Sequence, residues 1–302
     1  MGDGASDHHK DAAIDDNKAV ISPEIFTIVA GGEYGLHGSL FLPKEKTSAY
    51  DRLVIISAAT GVPQRFYFSF ASFLASNGIA ALTYDYRGVG ASRPSSLRGF
   101  RATLQDWIDD FGYVIRHVRK AFPASDIVAL GHSIGGVAAL LNPEANSVRR
   151  IITVGAQTSF WKDWPANVRY QRFVLWHMLM PMINRLFGYY PAQRFGLGED
   201  LPYDFALNWA ASWRNPRGVT EILPNREPPS LTCDVTAIGV ADDTIGTRSA
   251  IHRLHADIRA KSLSYRWIHP AEYGLSAIGH FDLFRKKVGH PVWPLLLHMV
   301  AE

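Results

Sequence analysis

Residues Gly131-His132-Ser133-Ile134-Gly135 form a Gly-x-Ser-x-Gly pattern between an apolar run, Asp126–Leu130, and a small-residue run, Gly136–Leu141. A serine hydroxyl is a weak nucleophile near neutral pH. Chemistry at Ser133 therefore requires a base within hydrogen-bond reach and a carboxylate to orient that base. The first run reads as a buried strand and the second as a helix. The pentapeptide between them is then a sharp strand-to-helix turn, a nucleophile elbow, that lifts the hydroxyl clear of a sheet. Amides at the start of the helix point at negative charge developing on a substrate oxygen.

With such an elbow, the carboxylate and the base follow in the order Ser, Asp or Glu, His, on loops at the carboxyl ends of later strands. Asp242-Asp243 follows the apolar run Val235–Val240, and His280 comes after the strand-like Leu263–His269. Among twelve histidines, His280 is the preferred base, because it ends a Gly/Ser/Ala-rich loop and opens the last helical stretch. His132 is expected to pack beneath the elbow. His117, His252, His255 and His298 fit helices and His269 closes a strand, while His8 and His9 lie near the start; structural roles are the default for these. His177 has a place from which to touch substrate. Asp243 is preferred as the orienting acid, since the Asp243–Thr247 frame leaves a loop before the next helix; Asp242 is the alternative. The oxyanion is expected to sit on the backbone amides of Ile134 and of Val62, with Gly61 next after Val62.

The elements around these residues alternate. Phe26–Ala30 and Leu36–Leu42 suggest an antiparallel hairpin about Gly31-Gly32. Strand-like Arg52–Ser57, helical Phe66–Ala75, strand-like Ile79–Tyr84 and a long amphipathic helix, Leu104–Ala121, follow in turn. After the elbow come the strand Arg150–Val154 and, much later, Val235–Val240, a helix over Thr247–Ala260, the last strand, and helix from Phe281 to the end. Strands alternating with helices predict the α/β class: a mostly parallel sheet covered by helices on both faces.

The alternation lapses between 157 and 229. That stretch holds five of the eight tryptophans (Trp161, Trp164, Trp176, Trp209, Trp213) and three of the five methionines. Prolines divide it into short helices. It is expected to be an inserted helical cap with its own core, reaching over the elbow from its entry point after the following strand and giving it an apolar wall. Trp161, Trp176 and Trp209 are the expected substrate contacts. The core would then comprise 21–156 and 230–302, preceded by a polar, Asp-rich, disordered leader over 1–20.

With 302 residues, 47% of them hydrophobic, the chain can bury a full core. A net charge of +3 with scattered Lys and Arg argues against a nucleic-acid surface. The single Cys233 forms no internal disulfide and is expected to be inert at the start of a core strand. No Cys/His cluster has metal-ligand spacing and no cofactor is implied. No apolar run approaches the ~18 residues of a membrane span. Without a signal-like apolar region, a cytoplasmic location is the expectation.

The chain resembles the α/β-hydrolase superfamily over essentially everything after residue 25. Within it, the closest likeness is to a bacterial-type group of predicted α/β hydrolases with a Gly-His-Ser-x-Gly-Gly elbow and a Gly-x-Gly-Glu-Asp-Leu-Pro cap motif. The stretches that carry the resemblance are Ala59–Tyr67 (ATGVPQRFY), Asp85–Ser92 (DYRGVGAS), Gly131–Gly136 (GHSIGG), Leu197–Pro202 (LGEDLP) and Gly279–Phe281 (GHF) with Phe284-Arg285. Thr60-Gly61 departs from the His-Gly pair common in the wider superfamily. The resemblance implies the α/β-hydrolase fold and a serine hydrolase. The expected reaction is cleavage of a small apolar ester-like substrate through an acyl-enzyme on Ser133. The alternatives are acyl transfer by the same three residues and an inactive binding protein on this fold.

Overall fold

The computed structural model describes residues 20–44, 50–223 and 227–302. Apart from Val20, the leader expected over 1–20 lies outside them. Eight strands are present among the described residues: β1 Glu24–Val29, β2 Gly35–Phe41, β3 Arg52–Ser57, β4 Ala80–Tyr84, β5 Asp126–His132, β6 Arg150–Val154, β7 Asp234–Val240 and β8 Ser262–Ile268. They form one sheet in the order β1-β2-β4-β3-β5-β6-β7-β8. The β1–β2 and β2–β4 pairs are antiparallel; every later pair is parallel. Burial follows position. Leu53–Ser57 in central β3 is buried on both sides, whereas edge strand β8 alternates exposed and half-buried residues.

The helices are α1 Phe68–Ser76, α2 Leu104–Ala121, α3 Ile134–Leu141, α4 Ala166–Val174, α5 Met180–Phe187, α6 Tyr203–Ser212, α7 Arg248–Ala256, the single turn α8 Lys286–Gly289, and α9 Trp293–Ala301. Helix α2 shows how local and global signals agree. Thr103 and Asp106 form a capping box, and Trp107, Phe111, Val114 and Val118 bury one stripe.

Three expected boundaries move. The stretch from Phe66 enters α1 through a 3-10 turn, Gln64–Tyr67. Helix α7 stops at Ala256 rather than Ala260. The C-terminal stretch is not one helix: 3-10 turns at Asp282–Phe284 and His290–Val292 flank α8, and α9 starts afresh at Trp293. Pro291 and Pro294 lack the amide hydrogens a continuous helix needs, and each occupies the first turn of the segment it begins. Cys233 is buried just ahead of β7, where burial pushes its thiol up to about 11.

Between β6 and β7 the described residues contain helices and short turns and no strand of the sheet. Helices α4 and α5 are joined by a π-helical stretch, Leu175–Leu179, in which the Met180 amide donates to the Leu175 carbonyl. Pro181 follows immediately. It has no amide hydrogen to donate, so the looser winding falls where the ordinary ladder is interrupted.

Candidate active site

Ser133 stands between β5 and α3 with φ 54° and ψ −118°, outside the regions that side-chain-bearing residues prefer. Such a conformation costs on the order of 1–3 kcal/mol and persists only where the surroundings over-determine it. Here they do. A Cβ on Gly131 would collide with the backbone of Gly135 and Gly136, and one on Gly135 with the carbonyl of Ser57. The Ser133 amide is held by the Val154 carbonyl at 2.8 Å. Glycines at these two positions let the start of α3 close onto the ends of β3 and β5.

Asp243 and His280 meet at the carboxyl end of the sheet, with His280 Nδ1 at 2.6 Å from Asp243 Oδ2. A carboxylate only accepts, so Nδ1 carries the proton and Nε2 is left as the basic nitrogen. The other carboxylate oxygen, Oδ1, accepts the amides of Ile245 at 2.7 Å and Gly246 at 2.8 Å. Burial alone would raise the Asp243 carboxyl. The facing His280 and the two amides outweigh burial and hold it below the ordinary carboxylate value. Asp242 is exposed and turns elsewhere, accepting the amides of Ile278 at 2.9 Å and Gly279 at 3.0 Å. It braces the loop that delivers His280 and does not touch the imidazole.

Ser133 and His280 line one cavity of about 400 Å³. Among the described residues no hydrogen bond joins their side chains. The loop Ala59–Pro63 forms one wall of the cavity, and Trp164, Trp176, Trp209 and Trp213 of the segment between β6 and β7 form another. The tryptophans pack on one another, with Trp213 centred 4.5 Å from Trp164, 4.6 Å from Trp176 and 4.8 Å from Trp209. Trp176 and Trp209 are therefore where the sequence places them. Trp161 is not: it packs edge-on against Phe173 at 5.0 Å, outside the lining, and Trp164 and Trp213 fill the wall instead. His177 is also outside the lining. Its Nδ1 faces Arg214 Nε at 3.2 Å, and burial followed by the Arg214 charge pushes it down to about 4.

The backbone donors need one correction. The Ile134 amide opens α3 with no acceptor among the described residues, as expected of an anion-facing helix start. The Val62 amide donates to the Ala59 carbonyl at 3.1 Å, closing a turn with Gly61 at φ 66°. That hydrogen is already committed, so Val62 does not supply the second donor. The Ala59 amide is taken as well, by Tyr67 Oη at 2.9 Å. Thr60 and Gly61 are left, their amides without acceptors among the described residues.

A family model described as serine aminopeptidase, S33, matches residues 49–194. Among solved structures, a soluble variant of monoglyceride lipase from Saccharomyces cerevisiae aligns over 94% of this chain and 96% of its own, at 13% identity and TM-score 0.69. An esterase from Exiguobacterium antarcticum aligns over 91% and 99%, at 17% identity and TM-score 0.60. Est1E from Butyrivibrio proteoclasticus, solved with ferulic acid bound, aligns over 92% and 100%, at 18% identity and TM-score 0.57. No curated protein matches the chain. The chain has the α/β-hydrolase fold of these structures, and a little under half of it matches the serine aminopeptidase family model.

Beneath the cavity the chain carries a buried relay that its sequence announces only in part. His132, beneath the elbow as expected, presents Nε2 to the His280 carbonyl at 2.8 Å and Nδ1 to Tyr67 Oη at 2.8 Å. The carbonyl can only accept, so the proton sits on Nε2 and Nδ1 accepts from the phenol. Burial, with the neighbouring His280, pushes His132 down to about 3, and burial pushes the Tyr67 phenol up. Both are neutral near pH 7. The relay Ala59–Tyr67–His132–His280 thus connects the loop after β3 with the backbone of the paired histidine.

The segment between β6 and β7 is also tied to that loop. The Glu199 amide donates to the Gly61 carbonyl at 2.7 Å, while its carboxylate takes Arg65 Nη2 at 3.0 Å and the Gly90 amide at 2.8 Å. Asp200 pairs with Arg93 at 2.9 Å. The Leu197–Pro202 stretch that carries part of the family resemblance is therefore a clasp between the β6–β7 segment and the loops after β3 and β4.

Proposed function

We propose that the chain hydrolyses a carboxylic ester of an apolar acid, with Ser133 as nucleophile, His280 as base and Asp243 as the acid that orients it. The observation that carries the reading is the 2.6 Å His280–Asp243 pair opening into the cavity that Ser133 also lines. His280 Nε2 takes the Ser133 proton as Oγ attacks the ester carbonyl. The resulting oxyanion is held by the Ile134 amide and by an amide of the Thr60-Gly61 pair. The imidazolium then gives its proton to the departing alcohol, and water, deprotonated by the same nitrogen, releases the acid from Ser133. Segment 157–229 acts as a cap: its tryptophan wall favours an apolar acyl group or ring, and the volume of the cavity suits a small one. The esterase and monoglyceride lipase on the same fold support an ester as the substrate class.

Turnover of short p-nitrophenyl esters by wild type and Ser133→Ala tests the reading. Loss of turnover in a variant with unchanged circular dichroism is expected. Turnover that survives the substitution refutes it.

A further inference from the structure

Helices α4 and α5 with the π-helical stretch between them form one continuous run, Ala166–Phe187. Its inner side reaches the cavity through Arg172 and Trp176. Its outer side exposes large apolar residues at every fourth position: Tyr170 at 71%, Val174 at 44%, Met178 at 62%, Met182 at 59% and Leu186 at 75%. Single exposed apolar side chains are normal on a soluble protein, but five in register along one run are a patch. Steps of four would drift about 40° each around a regular helix. The wider π-helical turn beneath Met178 absorbs part of that drift.

The patch continues toward the cavity. Arg194 lies over the Phe187 ring at 5.1 Å, which sets the Arg194-Phe195 turn beside the end of α5. Phe195 is exposed, and Leu197, two residues on, is both exposed and part of the cavity lining. Charge follows the same path. From Trp164 to Gly198 the sequence holds Arg169, Arg172, Arg185 and Arg194 and not one Asp or Glu. Arg185 and Arg194 are exposed.

We infer that the outer face of Ala166–Phe187 docks on an anionic lipid bilayer, with the cavity rim at Leu197 turned toward the lipid. An apolar stripe flanked by exposed arginines, on a stretch of sequence that itself holds no Asp or Glu, is the pattern of a helix that lies in the membrane interface. Two unbranched methionines at its centre adapt to irregular acyl surroundings. An anionic surface satisfies the stripe and the arginines together. A second copy of the chain would set the same arginines against each other. None of the described helices is long and apolar enough to cross a membrane, so the contact is peripheral. Delivery of a lipophilic ester from bilayer to Ser133 rests on the function proposed above; the docking itself does not.

Flotation of the full chain with vesicles of phosphatidylcholine alone, and of phosphatidylcholine with phosphatidylglycerol, tests this. Wild type is expected to float with the anionic vesicles and to be released by salt. Met178→Asp/Met182→Asp should weaken that binding by at least about tenfold while leaving turnover of soluble p-nitrophenyl acetate unchanged. Arg185→Glu/Arg194→Glu should abolish the preference for anionic lipid. Ser133→Ala should float like wild type, so that failure of the ester reading and failure of docking are separate results. Wild type that floats with neither vesicle overturns the inference. So does light scattering that shows a dimer converted to monomer by the methionine substitutions.

Discussion

His132 Nε2 donates to the backbone carbonyl of His280 at 2.8 Å, so the residue just before the elbow serine holds the backbone of the histidine paired with Asp243. Residues 148 positions apart are thereby fixed together beneath one cavity. Tyr67 extends the connection to the Ala59 amide.

Tyr67→Phe removes the oxygen that accepts from Ala59 and donates to His132. Two buried polar groups lose their partner, at a cost of about 1–3 kcal/mol in stability. If the relay positions the active groups, kcat should fall about tenfold with KM nearly unchanged, because loop and imidazole are aligned less well for the transition state. Kinetics on p-nitrophenyl acetate alongside thermal melts separate this from a purely structural loss, which would lower the melting temperature and leave kcat intact.

His132 also gives a pH signature. Its folded-state value of about 3 lies below the ordinary 6.5, so the unfolded chain takes up the proton first. Its contribution is complete above pH 6.5 and is lost as pH falls toward 3. Between pH 7 and pH 5 this single group removes about 2 kcal/mol of stability. Urea melts across that range should show the loss in wild type. His132→Gln, less stable at pH 7, should show a flatter dependence.

The two neighbouring acids should separate kinetically. Asp243→Asn leaves the imidazole without its carboxylate and favours the wrong tautomer, which lowers kcat by ~10⁴ in comparable triads. Asp242→Asn only loosens the Ile278-Gly279 backbone and should lower kcat by about tenfold or less. Equal losses in the two variants would contradict the division of roles.

Trp176→Ala should widen the cavity and move chain-length preference toward longer p-nitrophenyl esters, with KM for the short ones rising several-fold. Trp161→Ala, outside the lining, should leave the preference where it was. A chain-length series on both variants checks the point.

Much of this arrangement is legible in the residues themselves. Leu-Val-Ile-Ile in β3 and the capped amphipathic pattern of α2 leave one reading each, because strand burial and helix period impose distinct repeats. Ser133, the acidic pair and His280 stand out because the fold puts such groups at strand ends. Direction is what the sequence conceals. Asp242 and Asp243 are adjacent, and only the turn after β7 decides which points inward. Trp161 and Trp164 have the same aromatic character, but a short 3-10 turn sends one away from the cavity and the other into it. The Val62 amide is spent on a local turn, which no side chain announces. Tyr67 and His132 are 65 positions apart, and their hydrogen bond exists only once α1 and β5 are packed.

Ser133 as the nucleophile is most directly tested by intact-mass analysis after treatment with a fluorophosphonate, followed by peptide mapping. One adduct, located on Ser133 and absent from Ser133→Ala, is the predicted result. Ester hydrolysis by a protein that takes up no label, or takes it up at another residue, would contradict the account.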